Sequence, residues 1–441
     1  MKNLRILTIL LTLFVATSCE DFITEEPFLI ITDDTAIIDA ASAQSALLGA
    51  YSALQSANAY SNLSITTPGV LSDELNHSGS FPTVKEMQDN EVLPNNVTQQ
   101  GYWTAYYAGI LRTNIILEKI ETVEIPAATK SIIIGQAKYL RALMHFDLLK
   151  LYGDIPLITT SSLATNSNIG RTPSADVYAF LISELTEAAT LLDNVDYGAA
   201  GRDAEDRSRA NEWAVKALLA RVQLYKGDKA AAGALANDVI TNGGYTLPAT
   251  YSTVFNGGSS ETIFEIFSSV NDQNGIAFQV RVAGRYEYAP SAEMIAAFES
   301  GDLRASIIST ANAGKPEVAK YKDVATGTDR TIVSRLAEMF LIRAEANLGS
   351  ASADADLNVV RARAGLAPKT GVSLNDVLQE RFVELCFEGH RWNDLIRTQT
   401  VNQVMSVINP LTWEETDVLL PIPQREIDNN PALAGQQNPG Y

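Results

Sequence analysis

Apolar positions recur every three or four residues along most of the chain, the period of a helix with one face on a core. Residues 39–57 carry Leu47, Ala50 and Leu54 at that spacing. Over 102–120, Trp103, Tyr107, Ile110, Asn114 and Leu117 form one stripe, and over 136–152 so do Ala137, Leu140, Met144, Leu148 and Leu151. Gly153 then ends the helix and Pro156 prevents quick resumption. The same period predicts helices over 174–193, 211–227, 229–242, 335–349, 353–364 and 374–388. A β-like run, Thr262 to Phe267, is the main exception. The pattern predicts a mainly α fold of helical hairpins with a few short strands.

Two stretches are self-similar. Leu219 to Gly227 and Leu341 to Gly349 both read as a helix ending in glycine, with Arg221 and Arg343 in register. An Ala-rich helix follows each, at 229–240 and 353–364. Helix, glycine turn and Ala-rich helix is the construction of tetratricopeptide-like hairpins. Small residues let the paired helices approach closely. Two insertions break the pattern: 61–100, with Pro68, Gly69, Gly79, Pro82 and Pro94, and 243–292, with two Gly-Gly pairs. Loops this long in a compact domain usually carry function, so both are expected to face a ligand.

The first residues read differently. Lys2 and Arg5 precede an apolar run from Ile6 to Val15, and Ala16-Thr17-Ser18-Cys19 follows. A basic head, a short apolar run and small residues make a secretory signal. The run is short for a membrane-spanning helix. Ala16 to Cys19 resembles a bacterial lipobox, although leucine is commoner at the place of Ala16. Residues 1–18 are therefore expected to be removed, Cys19 to take up lipid, and 19–35 to be an acidic tether to a single domain over 36–441. Several acyl chains together anchor a protein stably. With Cys19 acylated, Cys386 has no partner for an intramolecular disulfide; its apolar helical setting predicts a small buried hydrophobe.

The formal charge of −19 repels phosphate backbones, which disfavours a nucleic-acid partner. Catalytic motifs are scarce. The three histidines, His77, His145 and His390, stand apart, and neither a zinc nor a nucleotide motif occurs. Asp33-Asp34 and the acids from Asp203 to Asp206 do not have the spacing of a calcium loop. Glu380, Glu384, Glu388 and Asp394 interleave with Arg381, Arg391 and Arg397. Arg391 lies three residues from both Glu388 and Asp394, a spacing that suits ion pairs on a helix. A structural ion-pair network is expected there, not an acid–base pair.

Several segments resemble the SusD/RagB family. They are Gln136 to Pro156; Ala217 to Arg221 with Gly227-Asp228; Arg343 to Ala346 with Asn358 to Leu366; Glu380 to Leu395; and Leu420 to Ile427 with Gln437 to Tyr441. Ser18 to Phe22 matches as well. Phe382 and Cys386 depart from the usual arginine and alanine. The resemblance implies lipoproteins of the outer membrane of Bacteroidota-type bacteria, exposed to the outside. They sit as a lid on a SusC-type TonB-dependent barrel and deliver oligosaccharides, or in some branches peptides. It implies no cofactor and no catalysis. A helical-repeat scaffold for another protein is the alternative.

Sugar binding needs flat apolar faces with hydrogen-bonding side chains beside them. Phe81, Tyr286 and Tyr288 are the expected stacking residues, with Arg285, Asn76 and Asp73 beside them. Trp103 is a further candidate, although its place in a helical stripe favours core packing. Trp392 and Trp413 read as structural.

Overall fold

The computed structural model describes residues 37–193, 207–312 and 314–441. The leader, Cys19, the tether, Asp33-Asp34 and Asp203 to Asp206 lie outside the described residues. The fold is mainly α, as the periodicity predicts. Its frame is a run of helices, each packed on the next: Ala40–Leu54, Val97–Lys119, Ala127–Tyr152, Ser174–Leu191, Glu212–Lys226, Lys229–Asn242, Leu336–Ala346 and Ala351–Arg363.

Local chemistry sets the ends of these helices. Asp39 caps the first by accepting from the Ser42 amide, and Ser42 answers by accepting from the Asp39 amide. Gly153 stops the helix Ala127–Tyr152 at φ +69°, a conformation that glycine adopts at little cost. That helix begins nine residues before the predicted start at 136, on Pro126. Its first turns hold Ile132, Ile133 and Ile134, a β-branched run that masks the helical period. From Tyr139 to Leu149 every residue is buried, as befits a helix with neighbours all round.

The hairpin reading explains how the repeats meet. A Cβ on Gly233 would lie 2.6 Å from the Ala346 Cβ, so helices 229–242 and 336–346 touch backbone to backbone. The two arginines in register take different partners. Arg221 reaches across to Glu338 in the other hairpin, with Nε to Oε1 and Nη2 to Oε2 both at 2.6 Å. Arg343 binds Asp356 within its own hairpin, Nη2 to Oδ1 at 2.7 Å.

The first insertion is not mainly loop, whereas the second is irregular over most of its length, with short helices and strands set in it. Within 61–100 the segment Leu63–Leu71 is a helix with every residue buried, Pro68 and Gly69 included. A second helix, Pro82–Gln88, starts on its proline. Proline and glycine read as loop markers in sequence, but here a buried, tightly packed segment overrides local preference. A Cβ on Gly69 would lie 2.7 Å from Leu75 Cδ1. In the second insertion, Thr262–Ile266 pairs antiparallel with Thr331–Arg335, and all ten residues are buried.

Candidate functional site

The two insertions meet. Strand Leu75–His77 pairs antiparallel with Tyr288–Pro290, with His77 opposite Tyr288 and Asn76 opposite Ala289. Beyond the strands the segments continue to bond. The Ser78 amide donates to Glu287 O at 2.8 Å, and Ser78 Oγ donates to Tyr286 O at 2.8 Å.

Glu287 is the hub of this junction. Its carboxylate is buried and lies 2.9 Å from His77 Nε2; it accepts from the Ser80 amide at 3.1 Å, the Phe81 amide at 2.8 Å and Arg285 Nε at 3.0 Å. Burial pushes its pKa up, but the Phe81 amide, Arg285 and His77 outweigh that and hold it below the usual range. Gly79 makes room for it: a Cβ there would lie 2.2 Å from Glu287 Oε2.

Around the hub stand the exposed groups. The Arg285 guanidinium carbon lies 3.6 Å from the centroid of the Phe81 ring, which is 39% exposed. Tyr286 has φ +55°, and its hydroxyl donates to Pro316 O at 2.6 Å. A non-glycine residue held left-handed marks a place where the surroundings dictate conformation. Lys315 Nζ lies 5.5 Å from the Tyr286 ring centroid. Below it Glu317 is buried, engaged by Arg281 Nη2 at 3.1 Å, the Val282 amide at 2.8 Å and Asn312 Nδ2 at 2.8 Å. The result is an exposed aromatic–guanidinium surface on a rigid hydrogen-bonded base.

The expected site residues divide. Phe81, Asn76, Arg285 and Tyr286 meet at the junction with at least part of each in reach of solvent. Tyr288 does not present a face. It is 3% exposed, and burial pushes its hydroxyl to about 12. Asp73 is buried and holds Arg391 in a two-pronged pair, both contacts at 2.7 Å; it is an internal ion pair and not a ligand donor. Trp103 lies in the helical frame, its ring 4.9 Å from those of Tyr107 and Tyr152. It borders a separate cavity of about 510 Å³, whose other walls include Leu111, Leu163 and Glu426. Glu287, His77, Glu317 and Lys315 were not singled out from sequence. Glu287 alternates with Arg285 on a strand-like run, which is a signal of a kind. Lys315 has none, since only the tertiary fold brings it to Tyr286.

The acidic segment is an ion-pair network, although Arg391 takes a partner other than those its helical spacing suggests. Arg391 pairs with Asp73, not with Glu388 or Asp394. Glu388 holds Lys320 and Arg335, and Asp394 holds Arg381 and Arg397. Glu384 accepts from Arg335 at 2.5 Å, Arg304 at 3.0 Å and Arg363. Burial raises its pKa, and these three cations more than reverse that. His145 and His390 are buried, and burial pulls His145 down to about 4. Cys386 is buried too, its thiol pushed to about 12. Trp392 and Trp413 pack edge to face, 6.1 Å between ring centroids. Among the described residues no three His, Cys, Asp or Glu side chains are grouped to hold a metal ion.

The fold defines a protein of helical hairpins that carries this loop-borne surface. Residues 311–441 match the model of the SusD family, and residues 29–224 match a model described as starch-binding, associating with outer membrane. The chain belongs to the SusD family. It is similar to SusD-like protein P2 of Formosa agariphila, 25% identical with all of both chains covered. Among solved structures it is similar to a laminarin-binding SusD-like protein, at TM-score 0.82 and 25% identity over 92% of this chain and 100% of that one. It is also similar to a protein from Bacteroides vulgatus described as sugar-binding, at TM-score 0.81 and 26% identity over the same shares.

Proposed function

We propose that the chain is a cell-surface glycan-binding protein, not an enzyme, that hands oligosaccharides to a SusC-like TonB-dependent barrel and acts as its lid. The observation that carries this reading is the Phe81–Arg285 surface. An aromatic face beside a fixed guanidinium suits the C–H face and hydroxyls of a sugar. Membership of the SusD family and the laminarin-binding relative support it. The acids of the Glu380 to Asp394 segment support the non-enzymatic side, because each is buried and engaged by arginine or lysine. Asn76 and Tyr286 are proposed as further ligand contacts.

The chain is proposed to sit on the outer membrane through lipid on Cys19. No helix among the described residues is long and apolar enough to cross a membrane. Cys19→Ala should lose metabolic lipid labelling and leave the membrane fraction. Mild detergent should co-purify the full-length protein with a TonB-dependent barrel. Titration against a panel of glycans and peptides tests the ligand class, and binding of peptides alone would overturn the glycan reading. Incubated glycans should keep their length; shortening would overturn the non-enzymatic reading.

A further inference from the structure

We infer that this surface selects glycans bearing anionic substituents, carboxylate or sulfate ester; the inference rests on the glycan-binding reading above. Residues 76–81, 281–288, Asn312 and 314–318 build the junction, and their cationic side chains are Arg281, Arg285 and Lys315. Their carboxylates are Glu287 and Glu317, both buried beneath the surface and, among the described residues, engaged by donors of the junction itself. The charge that faces outward is therefore positive, on a chain whose formal charge is −19.

Arg285 is suited to read a planar or tetrahedral oxyanion. Its Nε is used by Glu287, and its plane is held against Phe81. Among the described residues, Nη1 and Nη2 have no hydrogen-bond or ion-pair partner, and the side chain is 38% exposed. A guanidinium with its fork free and its rotamer already fixed loses little entropy when it grips two oxygens. Lys315 adds a second cation. It is exposed, rests near the Tyr286 ring and has no ion pair among the described residues. The plainer alternative makes Arg285 a staple between loops and Lys315 a solvated charge. The staple needs only Nε and the stacked plane, and leaves the free fork without a role. Long-range repulsion by the acidic chain does not cancel a local contact, because salt screens charges beyond about 8 Å at physiological ionic strength.

The test uses full-length protein in mild detergent and matched pairs of oligosaccharides. One pair is a galacturonic acid hexamer and its methyl-esterified form. The other is a sulfated galactan oligosaccharide and its desulfated form. Laminarihexaose is the neutral reference. The charged member of at least one pair should bind about tenfold more tightly than its neutral twin, and which pair does so distinguishes carboxylate from sulfate. The ratio should shrink as salt rises. Lys315→Gln, an exposed change that leaves the fold alone, should reduce the ratio severalfold, and Arg285→Gln should abolish it. Neutral members that bind as tightly as charged ones would overturn this inference and leave the glycan reading standing. A ratio unmoved by Lys315→Gln and Arg285→Gln would overturn it too. Absence of binding to every saccharide would overturn both.

Discussion

Arg285 and Phe81 come from different insertions, and the 3.6 Å approach of the guanidinium carbon to the ring centroid joins those insertions at the surface. The ring thus fixes the arginine, and the arginine covers part of one ring face. Phe81→Ala should lower affinity for a bound glycan by about 1–3 kcal/mol, the range for an anchor removed from a site. Because the ring is 39% exposed, the melting temperature should change little. Calorimetric titration with a thermal scan of the variant checks both halves, and a large fall in melting temperature would make Phe81 a structural staple only.

Tyr286 and Tyr288 lie two apart on one strand-like run but should respond differently. Tyr288 is buried in the interior, so Tyr288→Ala should destabilise by about 3 kcal/mol or more, as for other large aromatic truncations. Tyr286 is only half-buried, but its hydroxyl bonds Pro316 O and its backbone is left-handed. Tyr286→Phe should therefore loosen the 314–318 segment and lower stability by roughly 1 kcal/mol. Denaturant midpoints for the two variants decide the order.

The difference between those tyrosines shows where sequence reading stops. Period 3.6 placed the frame helices because each buries one stripe, and the stripe is written locally. Alternation in Arg285-Tyr286-Glu287-Tyr288 cannot say which face is inside, because that is set by the partner strand Leu75–His77, more than two hundred residues away. Leu63–Leu71 was hidden for a related reason: packing on all sides, not composition, keeps Pro68 and Gly69 helical. Arg391 found Asp73 rather than its sequence neighbours because the buried pair is tertiary.

Glu384 tests the ion-pair network. Three arginines converge on it from outside its own helix, namely Arg304, Arg335 and Arg363. Glu384→Gln keeps the shape and removes the charge, leaving buried guanidinium groups undercompensated. Removing one partner of such a set costs about 3–5 kcal/mol. The denaturant midpoint should fall accordingly, while glycan affinity of the folded fraction stays the same. An unchanged midpoint would mean that Glu261, Glu380 and Glu388 carry the network without it.

Glu74 links stability to pH at the foot of the site. It precedes strand Leu75–His77, is buried, and accepts from the Phe387 amide at 3.0 Å while its other oxygen has no partner among the described residues. Phe387 is itself left-handed at φ +60°, so the carboxyl holds a strained turn. Burial pushes the Glu74 pKa to about 8; the Phe387 amide, Lys320 and Arg391 oppose the shift, and Asp73 adds to it. Tyr321 and Cys386 also face it. The folded state thus keeps a proton that the unfolded chain, with an ordinary carboxyl near 4.5, gives up. The contribution is present in full below about pH 4.5 and is lost as pH rises through 8, by up to about 1.4 kcal/mol per pH unit. Glu74→Gln retains an acceptor for the Phe387 amide and cannot ionise. The variant should gain stability relative to the wild type steadily between pH 5 and 8, and no further above about pH 8.5 only if the folded carboxyl has by then lost its proton. Urea midpoints of both proteins across that range measure the difference, and parallel curves would show that Glu74 is already charged in the folded state at pH 5.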